Sequence, residues 1–468
     1  MRKIVMLGST PRAQRSLSSV QLPVDLECTS SAPVFYYSTS DFIYDLNDDN
    51  KKSEQHQKFK DLFMFRWECA KKENVFNYEL NSMYKLIPGD FNLSIQLNIE
   101  RGQLRRKPMR FHSVNEPFNA LRWNFNKLKQ NEVMLYMRCK DKPISVDRLD
   151  RHVIAINNSP LERGHSLIIP AISQSLPQVI FPATAMAIRI ATDAMLLYDD
   201  ESFHILFNSL LANASVNHLH LHALTWPYSS DIINRHMKGD LYVIRRPSWF
   251  ISSIVFQLPS EDHFDKFIWN ITKTVQYLNS KEVAFNIFFT RAHTLRTLGE
   301  LCVEQTQPCA SLVTAYIFPR VSIAGAKPSV SFNAAALELA GCLTAHSYRF
   351  FDTISEEVVL RIIDEQATLS DVFFNEICAK LSDLLLGIKS DHSSEKLEEH
   401  SHRVLKHSEL TSPELDELRD SFQTFELHSP RRVLINNASS LDDDGASEFT
   451  FNFDHKNEKE KCNGSSSA

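Results

Sequence analysis

The chain has 468 residues, 43 % hydrophobic and 23 % charged, with a formal net charge of -6. That size allows roughly two to four domains around a large core, and the composition excludes a chain disordered throughout. No basic stretch rises above the background, which argues against a nucleic-acid partner, and no apolar run approaches the roughly 18 residues of a membrane span.

In chain order, residues 1–55 are polar and read as an irregular N-terminal segment. Its apolar stretch Ile4–Leu7 is too short for a secretory signal. Phe59, Leu62, Phe63 and Trp67 recur at helical spacing and predict a helix over Lys58–Lys72. The segments FNLSIQLN, RGQLRRKP and WNFNK follow. Strands are expected at Val133–Cys139, Val153–Asn157, Ser166–Ile169 and His204–Asn208, an amphipathic helix at Ala183–Leu197, and a strand over Val216–Leu224.

A second block repeats this rhythm. Trp249–Gln257 reads as a strand, Asp262–Leu278 as a helix, Ala284–Arg291 and Leu312–Phe318 as strands, and Glu356–Asp364 and Asp371–Leu386 as helices. The expectation is an α+β protein of two related halves, 56–228 and 229–387, the first catalytic. From 388 to 468 Ser, Glu, Asp, His and Lys dominate, and a mostly disordered acidic tail is expected, with one helix starting at Ser412-Pro413. The eight cysteines contain no CxxC pair, which suits reduced thiols and a cytoplasmic protein.

The most informative stretch is Ser215-Val216-Asn217-His218-Leu219-His220-Leu221-His222-Ala223. In a strand, His218, His220 and His222 would project from one face and the leucines from the other. Three imidazoles on one face are costly without partners. Two chemistries could use them. Alternating imidazoles can ligate a metal, although no Glu, Asp or Cys follows closely in sequence. Alternatively the central ring attacks a phosphorus while its neighbours bond to phosphate oxygens, chemistry open to histidine near neutral pH.

The pattern His-Leu-His-Leu-His-Ala resembles the signature of the histidine-triad superfamily, and the upstream Asn157–Pro170 segment, with its Gly164-His165 turn, resembles the start of such domains. Phe207-Asn208-Ser209-Leu210 with Ala214–Asn217, together with FNLSIQLN, RGQLRRKP, WNFNK, AFNIFFTRA and FNAAALELAG, is similar to one branch, the GDP-sugar phosphorylases of animals and plants. The triad ending in His looks more like the animal type.

The resemblance implies a histidine-triad/galactose-1-phosphate-uridylyltransferase-like fold, an antiparallel sheet with flanking helices. It implies GDP-glucose and inorganic phosphate as partners, no metal and no cofactor, and leaves a homodimer open. The reaction would give GDP and glucose 1-phosphate through a GMP adduct on His220, with His218 and His222 orienting phosphates. Ser215 would bind phosphate, and Asn208 and Asn217 nucleotide or backbone. A hydrolase or hexose-1-phosphate nucleotidylyltransferase would use the same adduct. A metal-dependent enzyme or a catalytically silent nucleotide-binding protein would be more distant readings.

Two departures from the family pattern stand out. Leu211 follows Leu210 where relatives often carry Gly, so a changed loop path is expected before Ser215. Cys342 stands where relatives commonly show His. Outside the triad, Lys127 and Arg291 are candidates to reach phosphate but read more readily as solvated strand ends. The basic turn at 101–107 reads as an exposed loop, and Phe91, Phe125 and Phe285 as core aromatics.

Overall fold

A computed structural model describes residues 31–106, 109–141, 152–235, 242–295, 310–323 and 332–386. The acidic tail, the helix expected at Ser412 and Lys107 of the basic turn lie outside them.

The first half runs β1 (Val34–Tyr37), α1 (Glu54–Lys72), β2 (Met83–Ile87), β3 (Leu93–Leu97), α2 (Ile99–Leu104), β4 (Val133–Cys139), β5 (His152–Ile156), β6 (Ser166–Ile169), α3 (Met186–Leu197), β7 (Phe203–Asn208) and β8 (Leu221–Thr225). The second adds β9 (Val243–Ile244), β10 (Ser253–Leu258), α4 (Phe264–Ser280), β11 (Ala284–His293), β12 (Ser311–Arg320), α5 (Ala336–Leu339), β13 (Cys342–Ala345), α6 (Tyr348–Thr353), α7 (Glu356–Gln366) and α8 (Asp371–Leu386). The stretch read as irregular at the N-terminus therefore carries β1 and the first turn of α1. Its hydrophobic signal was weak because β1 is an edge strand of only four residues with alternate side chains exposed.

Ten strands form one sheet in the order β1-β4-β5-β6-β8-β7-β11-β12-β10-β9. Its pairings are antiparallel except at the edge, where β1 runs parallel to β4. The two halves are thus not separate layers. They meet where β7 pairs with β11, Asn208 opposite Asn286, and β11 continues along β12 from Ala284 to His293. A smaller sheet, β13-β3-β2, draws its strands from both halves.

Strand alternation divides the apolar residues between two faces. Ile205, Phe207, Leu221, Ala223, Ile287 and Phe289 point into a core closed by α1, α3, α4 and α8. α3 is apolar nearly all round because it is wedged between that sheet face and its neighbouring helices. Leu206, Leu224, Phe288 and Tyr316 point the other way, against the small sheet, α5, α6 and α7. Full burial of each such side chain contributes roughly 1.5–3 kcal/mol.

Gly164, at φ 80°, makes the turn into β6 that only glycine enters without strain. Cys139, Cys342 and Cys378 are not in disulfides, whereas Cys69 is disulfide-bonded. This corrects the expectation of an all-reduced set. Sequence spacing does not reveal which sulfurs the fold brings together. Cys342 is a structural thiol in β13 beside Ser94, and burial pushes it up to about 12.

Candidate active site

The histidine segment departs from the strand expected at Val216–Leu224. Ladder pairing begins only at Leu221, opposite Ile168, so His222 lies in β8 while His218 and His220 precede it. The reason is local. Residues just before β8 commit their backbone to side-chain and loop partners. The Gln178 carboxamide accepts the His220 N–H at 2.8 Å and donates to the His220 carbonyl at 2.9 Å. The Leu219 N–H bonds the Leu176 carbonyl. The imidazoles nevertheless cluster: the His220 and His222 ring centres are 5.3 Å apart. Phe125 of the WNFNK segment packs 4.9 Å from His220 and 5.5 Å from His218.

Hydrogen bonds fix the proton on each ring. His220 Nδ1 lies 2.7 Å from the His218 carbonyl, which can only accept; Nδ1 therefore carries the proton and Nε2 keeps a lone pair. His218 Nδ1 accepts the Phe125 N–H at 3.1 Å, so its proton is on Nε2. That atom is buried and has no hydrogen-bond partner among the described residues, although the Ile172 backbone favours the charged ring. His165 Nδ1 accepts the Leu161 N–H at 2.8 Å, which puts a proton on its Nε2. That proton is donated to His222 Nδ1 at 3.0 Å, and the Asn157 amide reaches the same atom at 3.5 Å. His222 in turn carries its proton on Nε2. The outer two histidines thus offer N–H donors and the central one a lone pair, a set suited to phosphate oxygens and one phosphorus. A cation would instead require lone pairs converging from all three.

Burial keeps the rings neutral. Desolvation lowers His218 and His220 to about 4, and it holds His222 and His165 well below the usual histidine range, reinforced by neighbouring rings and Arg101. A neutral imidazole is the nucleophilic form.

Beside His222 opens a solvent-facing cleft. Asn208, Ser215 and His222 line it, as do Arg101 and Arg105 of the basic turn and Glu338 and His346 from the second half. His220 does not line it. Its residue is 4 % exposed, set behind His222 and under Phe125.

The other sequence candidates separate clearly. Asn217 is structural: its amide holds the Glu116 and Pro117 carbonyls and its oxygen accepts the Gln178 N–H. Asn208 Oδ1 accepts from Asn286 Nδ2 and the Ala336 N–H, tying β7 to β11 and α5 at the cleft. Arg291 is fully buried and donates to the carbonyls of Ile43, Tyr44 and Met195 on the far face. Lys127 reaches the Arg122 carbonyl. Phe91 packs on Trp249 and Phe250, and Phe285 on Phe207.

Leu211 adopts φ 61°, the left-handed conformation that glycine enters without strain. Gln178, Arg101, Arg105, Glu338 and His346 were missed. The arginine pair had a signal, since spacing of four residues puts both on one side of a helix end. Gln178 had none, because its partners are backbone groups distant in sequence.

Comparisons with known proteins agree along the chain. A family model described as the GDPGP1-like N-terminal domain matches residues 58–224, and the GDPGP1-like C-terminal domain matches 229–386. The chain is 50 % identical to GDP-D-glucose phosphorylase 1 of Caenorhabditis elegans over 92 % of its own length and 91 % of the relative's. It is 30 % identical to the Homo sapiens protein of that name, over 64 % of this chain and 77 % of the other. Among solved structures, yeast Ap4A phosphorylase Apa2 in complex with AMP aligns with 68 % of this chain and 98 % of that one, at 12 % identity and a TM-score of 0.46. The histidine segment and the elements that hold it fall inside a matched domain, and the chain belongs to the GDPGP1-like family.

Proposed function

We propose that this chain is a nucleotidyltransferase that phosphorolyses GDP-D-glucose through a GMP adduct on His220. The hydrogen bond from His220 Nδ1 to the His218 carbonyl carries the reading, because it leaves the lone pair of a neutral ring on Nε2. The relatives named GDP-D-glucose phosphorylase 1 supply the substrate.

Nε2 attacks the α-phosphorus, a P–N bond forms, and the bond to the bridging oxygen breaks. Glucose 1-phosphate leaves as an anion that needs no general acid. Positive charge grows on the imidazole, and the carbonyl 2.7 Å from Nδ1 stabilises it. The Nε2–H groups of His218 and His222 bond the phosphoryl oxygens, with Ser215 on the cleft wall as a further donor. Inorganic phosphate then attacks the adduct from the vacated side. The P–N bond breaks, GDP forms, and the lone pair returns to Nε2. Two displacements in sequence give ping-pong kinetics. Phe125 covers His220, and the reading requires that contact to open far enough for a phosphorus to reach Nε2.

Asn208 serves by fixing the cleft wall, and Asn217 by holding the segment that carries His218. The chemistry calls for no partner beyond GDP-glucose and phosphate, in a cytoplasmic setting.

Incubation with GDP-glucose labelled at the α-phosphorus tests this. The expected result is a labelled protein adduct that is absent in His220→Gly, persists in Cys342→Ala, and yields GDP only when phosphate is added. Release of GMP without phosphate would make the protein a hydrolase instead. Release of label only to a second sugar 1-phosphate would make it a hexose-1-phosphate nucleotidylyltransferase.

A further inference from the structure

Two arginines, a glutamate and a histidine in the cleft have no part in the attack on the α-phosphorus. Arg101 and Arg105 sit on and just beyond α2 and line the cleft beside His222. Arg101 is close enough to His222 to lower its proton affinity, which places a fixed cation next to the reacting centre. Arg101 is itself anchored on the Ser159 carbonyl.

The opposite wall comes from the second half. Glu338 of α5 is buried and lines the same cleft as both arginines, with Oε2 accepting the Ala335 N–H. His346 donates through Nδ1 to the Asn98 carbonyl at 3.2 Å, which leaves its Nε2 an acceptor. Thr344 of β13 lines the same cleft, as does Asn213 of the first half.

The walls are pressed together at Gly102. A Cβ built there would lie 2.7 Å from His346 Cβ and 3.0 Å from His346 Cγ. The glycine lets α2 approach His346 closely, and this contact sets where both arginines stand.

We infer that this wall is the leaving-group subsite: Arg101 and Arg105 bind the β-phosphoryl group and, after its departure, inorganic phosphate, while Glu338 and His346 accept hydrogen bonds from the hexose hydroxyls. The inference rests on the phosphorolysis reading and deepens it. Guanidinium groups give a phosphate several donors in a planar fork. They carry no acceptor, so they cannot read a neutral polyol. A carboxylate and a neutral imidazole nitrogen are acceptors and can. The subsite therefore divides its ligand chemically: donors toward the reacting phosphorus, acceptors farther along. Incoming phosphate needs only the donor part.

Separate kinetics of the two half-reactions test the division. In the unaltered enzyme the GMP adduct is first formed from GDP-glucose and isolated, and its breakdown is followed against phosphate concentration. Arg105→Lys, which keeps the charge but loses the fork, is expected to raise the KM for phosphate and for GDP-glucose about 10- to 100-fold, the loss of a charge-assisted bond. Gly102→Ala moves both in the same direction. Glu338→Gln is expected to raise the KM for GDP-glucose about 10-fold and to leave the KM for phosphate unchanged or lower.

Circular dichroism and thermal unfolding establish that each variant is folded. An adduct that forms normally and breaks down with an unaltered phosphate KM in folded Arg105→Lys overturns the subsite alone. Equal effects of Glu338→Gln on both substrates overturn the donor–acceptor division. Failure of the unaltered enzyme to form any adduct overturns the phosphorolysis reading with it.

Discussion

His222 and His204 are separated by two residues across one strand pair. Leu206 faces His222 and Leu224 faces His204 in the register of β7 with β8, so both imidazoles lie on the same face of the sheet. His204 is buried and His222 borders the cleft, yet both are held below the ordinary histidine range, chiefly by desolvation. They differ in wiring. His222 takes a proton from His165, whose own tautomer is set by the Leu161 N–H. Among the described residues His204 has no hydrogen-bond partner at either ring nitrogen, and it packs 4.9 Å from Phe288. Low proton affinity follows from burial and says little about chemistry. A fixed proton position, relayed from ring to backbone, is what equips an imidazole to donate or attack.

The largest test of this contrast is to cut the wiring. Replacing Gln178 by Met removes the clamp on both backbone groups of His220, and replacing His165 by Leu frees the His222 tautomer. Each is expected to lower the single-turnover rate of adduct formation by about 10- to 100-fold, as when outer-shell partners of a site are lost. Folded variants that react at the normal rate would break the comparison. His204→Leu is the converse. It is expected to leave that rate unchanged while raising stability by about 1 kcal/mol in urea unfolding, because a buried polar ring without a protein partner is removed. Lost activity there would show that wiring is not the distinction.

The pH dependence of stability sharpens the contrast further. His204, His218 and His220 are held at about 4 in the folded chain, against roughly 6.5 when unfolded. Between those values the unfolded chain binds more protons. Stability is therefore full above about pH 6.5 and falls as pH drops toward 4, with each histidine contributing a slope of up to about 1.4 kcal/mol per pH unit. Unfolding titrations should show a shallower acid slope in His204→Leu, at unchanged activity. A slope equal to that of the unaltered protein would mean that the ring titrates normally. The smallest effect concerns the loop before Ser215. Leu211→Gly relieves a left-handed backbone but removes packing against Phe111, Val114 and Ala284. A net change within about 1 kcal/mol is expected in thermal unfolding.

Much of this was legible in the chain. Residues Asp371–Leu386 form the helix their periodicity announced, and the alternating histidines do cluster, with His222 on the cleft wall. The sequence pointed to a strand through His218 and His220 because alternation of apolar and polar residues is the strand signature. It did not show that Gln178 would take the backbone groups a ladder needs, since that contact spans 42 positions. The arginine wall was set aside as an exposed loop for a related reason. Charge alone does not say whether a fold will bend a basic turn over a cleft, and here the decisive contact is Gly102 against a histidine more than 200 residues away. Asn208 and Asn217 looked alike in sequence, yet one borders the cleft and the other is fastened wholly to backbone.

The seam between β7 and β11 bears on how such a protein can be inherited. If a gene carried the first half alone, the outer edge of β7 would be a row of unsatisfied backbone groups open to adventitious strands, and the cavity beside His222 would lose the wall that Glu338 and His346 provide. Splitting or swapping the halves would thus break the sheet and the cleft wall in a single event.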